Sequence, residues 1–235
     1  MPSAFVSVIV PVLHDAKMLA PLLAELVGKG ESIQVEVVVT NGDAEDRELE
    51  PIRRDNPKVR WVDGCPGRAL QMNRGALIAS GRWLLFLHSD ARLGPKWFDE
   101  IERAARVDVV GGCYRLEIDS CCWQARLIEF GVKWRARWLA IVYGDQGIFI
   151  RRDVFDLLGG YRPLPLMEDA DLVRRMRQRG SFLLSQVRVR VSARRWERDG
   201  WWRRTFANIW ILLSHLVGRA PENMAESYPA WPQTK

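Results

Sequence analysis

Four places in the chain put groups capable of chemistry at informative spacing. In "RWLLFLHSDARLGP", Arg82 to Pro95, an apolar run from Trp83 to Leu87 is followed at once by His88, Ser89 and Asp90. Alternate residues of a strand share a face, so His88 and Asp90 can point together and share a divalent cation, or Asp90 can hold one through water. The same pair also suits a capped turn with a loop-bonded imidazole, and spacing alone does not choose. In "LPLMEDADLVRRM", Glu168, Asp169 and Asp171 stand within one turn of a predicted helix start. Capping and dipole compensation account for one or two of these acids. A further acid after the apolar "LPLM" sits where burial raises a carboxyl pKa towards that of a general base.

In "PGRALQMNRG", Gly67 and Gly75 admit close backbone approach, Arg68 brings a guanidinium and Asn73 an amide. A helix N-terminus after glycine favours phosphate, although the segment is neither a P-loop nor GxGxxG. In "SARRWERDGWWRR", Arg194 and Arg195 interleave with tryptophan. Such a segment fits diphosphate, an acidic membrane or RNA, or forms a solvated basic face over inward-packed tryptophan.

The elements that must position these groups alternate. "FVSVIVP", "IQVEVVVTNG", "KVRWVDG" and "WLLFLH" read as buried strands, and "MLAPLLAELVGKG" and "GRALQMNRGALIASG" as helices between them. Alternation with short connections predicts a parallel sheet covered on both faces, with ligands beyond the carboxyl ends of its strands. Further on come a helix at "PKWFDEIERAARV", a strand at "VVGGCYRLEI" and one or two basic amphipathic helices at "CCWQARLIEFGVKWRARWLAIV". A strand and helix at "DQGIFIRRDVFDLLGGY", a helix at "EDADLVRRMRQRG", a strand at "FLLSQVRVRVSARRW" and a terminal helix at "WWRRTFANIWILLSHLVG" complete the reading. That last helix carries apolar residues at 202, 206, 209, 210, 213, 216 and 217, a stripe for core packing or for contact with a membrane. One domain spanning 1–235 is expected, with a nucleotide-binding half over about 1–95, an acceptor half over about 96–218 and a tail over 219–235.

A chain of 235 residues with 48% hydrophobic and 27% charged residues buries a core and is not a disordered polymer. Its net charge of +6 suits phosphorylated small molecules, anionic membranes or nucleic acid. The bases are spread over both halves rather than gathered in one stripe, which argues against nucleic acid. The four cysteines have no metal-ligand spacing and read as reduced thiols of a cytoplasmic protein. No run reaches the roughly 18 apolar residues of a spanning helix.

The order of these pieces resembles the family 2 glycosyltransferases and their GT-A fold, a Rossmann-like nucleotide-binding half fused to an acceptor half. The nearest likeness is to a small bacterial subgroup carrying "GRA-Q-N-G", "LLFLH-D", "GDQGIF-RR" and "ED-DL" in this order, and it extends from Val6 to about Gly218. The resemblance implies an inverting transfer from a nucleotide-diphosphate sugar to a hydroxyl acceptor, possible on a lipid carrier at the inner face of the membrane. It implies Asp90 as the acid that holds Mg²⁺ or Mn²⁺, with His88 where relatives have a further Asp. It implies Asp169 as the base, with Glu168 and Asp171 positioning the base or the acceptor. It places Pro11, Asp15, Arg68, Gln71, Asn73 and Ser89 with the donor, and Gln146 and Gly147 with the acceptor. Arg194, Arg195 and Trp196 match a segment that closes over the diphosphate.

Two departures stand out. "VVTNGDAED" puts Thr40 where relatives carry an Asp that contacts the nucleotide base, leaving Asp43 or Glu45 to compensate. "PVLHDA" leaves Asp15 to fill an acid's place after the first strand. A nucleotidyltransferase would carry a Gly-rich loop after that strand, and "PVLHDAKML" has none. A catalytically lapsed nucleotide-sugar or partner-binding module on the same fold is the other reading.

Overall fold

In the computed structural model, residues 5–28 and 34–216 are described. The elements in order are β1 (Val6–Val12), α1 (Ala16–Gly28), β2 (Val35–Asn41), α2 (Leu49–Asp55), β3 (Arg60–Asp63), α3 (Arg68–Ile78), β4 (Trp83–Phe86), β5 (Ala91–Leu93) and α4 (Trp97–Arg106). There follow β6 (Gly111–Asp119), α5 (Trp123–Trp134), β7 (Ile148–Arg151), α6 (Arg152–Leu157), α7 (Glu168–Arg177), β8 (Phe182–Ser192), α8 (Arg194–Asp199) and α9 (Trp201–Leu216). A π-helical turn at Arg135–Leu139 continues α5, and a 3-10 turn at Gly144–Gln146 precedes β7.

The eight strands form one sheet in the order β3-β2-β1-β4-β7-β6-β8-β5. β1 pairs in parallel with β2 and β4, and β2 with β3. β7 runs antiparallel between β4 and β6, and β8 is parallel to β6. Six strands therefore point one way and only β5 and β7 oppose them. The carboxyl ends of β1, β2, β4 and β8 and the amino end of β7 come out on one edge, where the chemistry-bearing motifs are strung.

Side-chain alternation along β1 divides the core. Val6, Val8, Val10 and Val12 pack with Leu19, Leu22 and Leu23 of α1 on one face. Ile9 packs on the other with Ala69, Met72 and Ala76 of α3 and with Leu172, Val173 and Met176 of α7. Burial on both faces is why these strands read as continuous apolar runs. Gly75 lets α3 lie against the sheet, since a Cβ there would stand 2.5 Å from Ile9 Cγ2 and 2.8 Å from Thr40 Cγ2. Its close approach is thus made to the sheet rather than to a ligand.

Three sequence readings change. "SARRW" does not extend β8, which ends at Ser192 and turns into the short helix α8. The short strand β5 and helix α2 had no distinct periodic signal. The outward stripe of α9 consists of Trp202, Phe206, Ile209, Trp210 and Leu213, all exposed, while Ile211 is buried against Met167 and Ala170. The expected tail, 219–235, lies outside the described residues, as does position 217 of the stripe.

Asn73 joins α3 to the turn after α6. Its Nδ2 donates to the Tyr161 carbonyl at 2.8 Å and its Oδ1 accepts from the Tyr161 amide at 2.8 Å. Two bonds of this kind contribute about 2 kcal/mol together. Asn73→Ala should lower the free energy of unfolding in urea by about that amount and leave ligand binding at the sheet edge unchanged.

Candidate active site

A cavity of about 750 Å³ opens at the carboxyl edge of the sheet, within the range of small-molecule sites. It gathers Pro11 and Asp15 after β1, Arg68 and Gln71 of α3, and His88, Ser89 and Asp90 after β4. Glu168 and Asp169 line it from α7, Arg194, Arg195 and Trp196 from α8, and Arg204 and Asn208 from α9.

The remaining expected site residues lie off its lining. Thr40 is buried and gives its carbonyl to Gln71 Nε2 at 2.8 Å, the same amide that bonds the Val12 carbonyl. Asp43 is on the surface loop after β2, with one carboxylate oxygen 3.5 Å from His14. Asn73 is committed to Tyr161. Gln146 is buried beneath the site, touching Arg135 Nη2 and the Tyr114 carbonyl at 3.4 Å each, and Gly147 forms the turn into β7 at φ +60°. Asp171 is bound by Arg175 at 2.7 Å, Arg174 at 3.1 Å and Arg162 at 3.3 Å, an ion cluster at the back of α7.

Two groups of charges face each other in the cavity. On one side, Arg194 forks onto Asp15 through bonds of 3.0 and 2.8 Å, and Ser89 Oγ donates to the same carboxylate at 2.7 Å. Asp90 lies 3.6 Å from guanidinium nitrogens of both Arg194 and Arg195. Asp145, half-buried in the 3-10 turn before β7, has a buried oxygen without a hydrogen bond. Burial raises its pKa against the pull of Arg135 and Arg195, and the nearby Asp90 adds to the rise. Sequence reasoning passed over Asp145 in favour of its neighbours in "GDQG". Its signal was a carboxylate in a Gly-flanked turn just before an apolar strand.

On the other side, Glu168 meets Arg68 at 3.3 Å. Asp169 accepts a hydrogen bond from the Gly144 amide at 2.9 Å on Oδ2, and its Oδ1 is buried without one. Burial first, then the charge of Glu168, pushes its pKa up to about 7. Met167, just ahead of these acids, adopts a left-handed φ of +65°, a conformation that costs a bulky residue energy and recurs at functional sites. His88 lies between the groups, its Nε2 buried with no hydrogen bond. Burial, Arg68 and Arg195 hold its pKa well below the usual histidine value, so the imidazole is neutral. Gly144 makes room for both, since a Cβ would stand 2.6 Å from His88 Nε2 and 2.7 Å from Asp169 Oδ2.

These donors suit a divalent cation that takes only part of its shell from the protein. Among the described residues no group of three or more His, Cys, Asp or Glu side chains could hold a metal by itself. An oxygen-seeking ion at Asp90 would therefore complete its shell with ligand phosphate and water, a mode that suits Mg²⁺. The unbonded nitrogen of His88 and oxygen of Asp145 are the further atoms available on this wall.

The raised carboxyl of Asp169 has a consequence for stability. An unfolded Asp ionises near pH 3.9, whereas folded Asp169 holds its proton to about pH 7. Between these values the folded state binds more protons, so stability contributed by this group is full below about pH 4 and lost as pH rises through 7. Asp169→Asn removes that loss. Denaturation from pH 4 to 8 should show the variant gaining on the wild type as pH rises, and a constant difference would contradict the assignment.

The profile of glycosyl transferase family 2 matches residues 7–156, more than half of the chain. No curated protein matches the sequence. Among solved structures, a mannosyltransferase from Pyrobaculum calidifontis in complex with GDP-Man and Mn²⁺ is 19% identical, with a TM-score of 0.68 over 94% of this chain and 68% of that one. S. aureus TarS 1-349 is 13% identical, with a TM-score of 0.60 over 92% of this chain and 66% of that one. Its complex with UDP-GlcNAc gives 14% and 0.59, over 80% and 58%. At such identities the likeness is one of fold, and this chain spans about three fifths to two thirds of the TarS lengths. Among the described residues no helix is long and apolar enough to cross a membrane. With its profile match and its mostly parallel sheet, the chain belongs to glycosyl transferase family 2.

Proposed function

We propose that the chain transfers a sugar from a nucleotide-diphosphate donor to an acceptor hydroxyl with inversion at the anomeric carbon. The observation that carries this reading is Asp169, a carboxyl hydrogen-bonded at Oδ2, buried without a hydrogen bond at Oδ1 and raised to about 7, in one cavity with a cluster of arginines. Asp169 takes the proton of the acceptor hydroxyl as its oxygen bonds to the anomeric carbon. The bond from that carbon to the diphosphate breaks, and the nucleoside diphosphate leaves. A base with a pKa near the working pH is well matched to this step.

The donor diphosphate belongs on the Arg194 and Arg195 side, where paired guanidinia recognise phosphate oxygens. Asp90, with His88 and Asp145 beside it, is the place for Mg²⁺ or Mn²⁺. Such an ion would neutralise charge growing on the leaving group. Glu168 holds Arg68 and keeps the electrostatic pressure on Asp169. Gln71 ties the ends of β1 and β2 under the donor, and Gln146 and Gly147 act from beneath, setting the turn that delivers Gly144. Asp171 is proposed to fix the orientation of α7 rather than to touch the acceptor. One domain working as two halves on a common sheet edge accommodates all these roles. The unpaired state of all four cysteines suits a reducing compartment such as the cytoplasm.

A panel of nucleotide sugars, screened by thermal stabilisation and by release of nucleoside diphosphate, tests the reading. Asp169→Asn should reduce transfer by about a thousandfold while the stabilising nucleotide sugar still binds. The wild-type rate should climb with pH and level off above about 7. A variant that retains wild-type turnover removes Asp169 as the base, and donor binding with no turnover in the wild type would favour the lapsed module. Asp90→Ala should abolish the effect of Mg²⁺ on donor affinity in a binding titration, and an unchanged Mg²⁺ effect would place the ion elsewhere.

A further inference from the structure

Helix α9 is amphipathic in the opposite sense to a core helix. Its polar and small residues Arg204, Ala207 and Asn208 line the cavity together with buried Ile211. Its apolar stripe of Trp202, Phe206, Ile209, Trp210 and Leu213 faces outward, Phe206 being 63% exposed. Beside it, α5 and its π-turn expose Trp123, Leu127, Phe130, Trp134 and Trp138, with Phe130 67% exposed. The two stripes meet where the Trp123 and Trp202 rings lie 5.7 Å apart, and Trp202 continues to Phe206 at 6.3 Å. Ten of the fifteen large exposed apolar side chains among the described residues lie on these two helices. Concentration of that kind marks an interaction surface rather than scatter.

The charge around the face identifies what it meets. Arg126, Lys133, Arg137 and Arg203 are exposed on or beside it. Its one acid, Glu129, is already bonded to Arg126 and to the Ile118 amide. From Trp201 to Ser214 there is no carboxylate at all. Tryptophan and phenylalanine mixed with Arg and Lys in excess of acids is the composition of helices that lie in a lipid headgroup layer.

We propose that the joined faces of α5 and α9 seat the protein on an anionic lipid surface, lying in the interface without crossing it. The cavity then borders that surface, because α9 supplies both the docking stripe and part of the cavity wall. This surface goes beyond the transfer reading and does not depend on it.

The test is co-sedimentation of the full chain with phosphatidylcholine vesicles, with and without phosphatidylglycerol. Binding is expected to the anionic vesicles and to weaken with salt. Phe130→Ser combined with Phe206→Ser should weaken it by about tenfold or more, and Lys133→Gln with Arg137→Gln by about fivefold per base. None of these four residues lines the cavity, so stabilisation by a nucleotide sugar in vesicle-free solution should be unchanged. That measurement reports on the donor site separately. No binding at low salt, or equal binding to neutral vesicles, overturns the proposal. So does a pair of Phe→Ser changes that lowers the unfolding midpoint by several degrees, since the face would then be covered within the protein. Conversion of a dimer to a monomer by those changes, without vesicle binding, would show that the face joins two copies instead.

Discussion

Arg194 reaches back 179 residues to grip Asp15 with both of its terminal nitrogens, and the cavity depends on that contact. Asp15 follows the central strand β1, and Arg194 opens the short helix after β8, at the far side of the same sheet edge. A cavity wall carrying Asp15, Asp90 and Asp145 together would be expensive to bring out of water without positive charge beside it. The α8 arginines supply that charge, so the site is closed by the residues that make its acids tolerable. In the proposed transfer the same guanidinia would engage the donor diphosphate.

The antiparallel strand β7 sets the other half of the site. Because it runs against β4, the turn that precedes it, rather than one that follows it, arrives beside His88. The pairing of Phe86 with Ile148 fixes this register. Gly144 then fits between His88 and Asp169 where any side chain would collide, and its amide holds Asp169. A one-residue slip would send Gly144 away and put a bulkier side chain against the imidazole. Asp169 and His88 meet at this turn, and burial acts on them in opposite senses, raising the carboxyl's pKa and lowering the imidazole's.

Much of this was legible in the residues themselves. Continuous β-branched runs announced the buried parallel strands, and the glycine-bounded "GRALQMNRGALIASG" announced α3. That a ligand site lies beyond the carboxyl ends of the strands followed from strand direction, and the grouping of Asp90, Asp169 and Arg194 there from the family resemblance. What was not legible depended on where side chains turn. Asn73 looked like a phosphate or donor ligand until its amide was spent on the Tyr161 backbone, and Asp171 looked like a third site acid until three arginines held it behind α7. Asp145 escaped notice because its Gly-flanked turn does not show that an antiparallel strand will carry it to the cavity beside Asp90. Long-range pairing decides all three, and local periodicity does not record it.

The terminal helix shows the limit most sharply. A 3.6-residue period states that one face is apolar but not which side of the helix the protein occupies. Core packing would ordinarily claim such a stripe. Here the cavity makes a competing demand, since the side of α9 facing inward must offer Arg204 and Asn208 to a charged site. Once those polar groups are turned in, helical geometry forces Trp202, Phe206 and Trp210 out. Ile211, with Leu212 beside it, anchors α9 against Met167 and Ala170 at the start of α7. The exposed aromatic face is therefore a consequence of how the site is walled, and any surface that covers it will bear on the helix that lines the site.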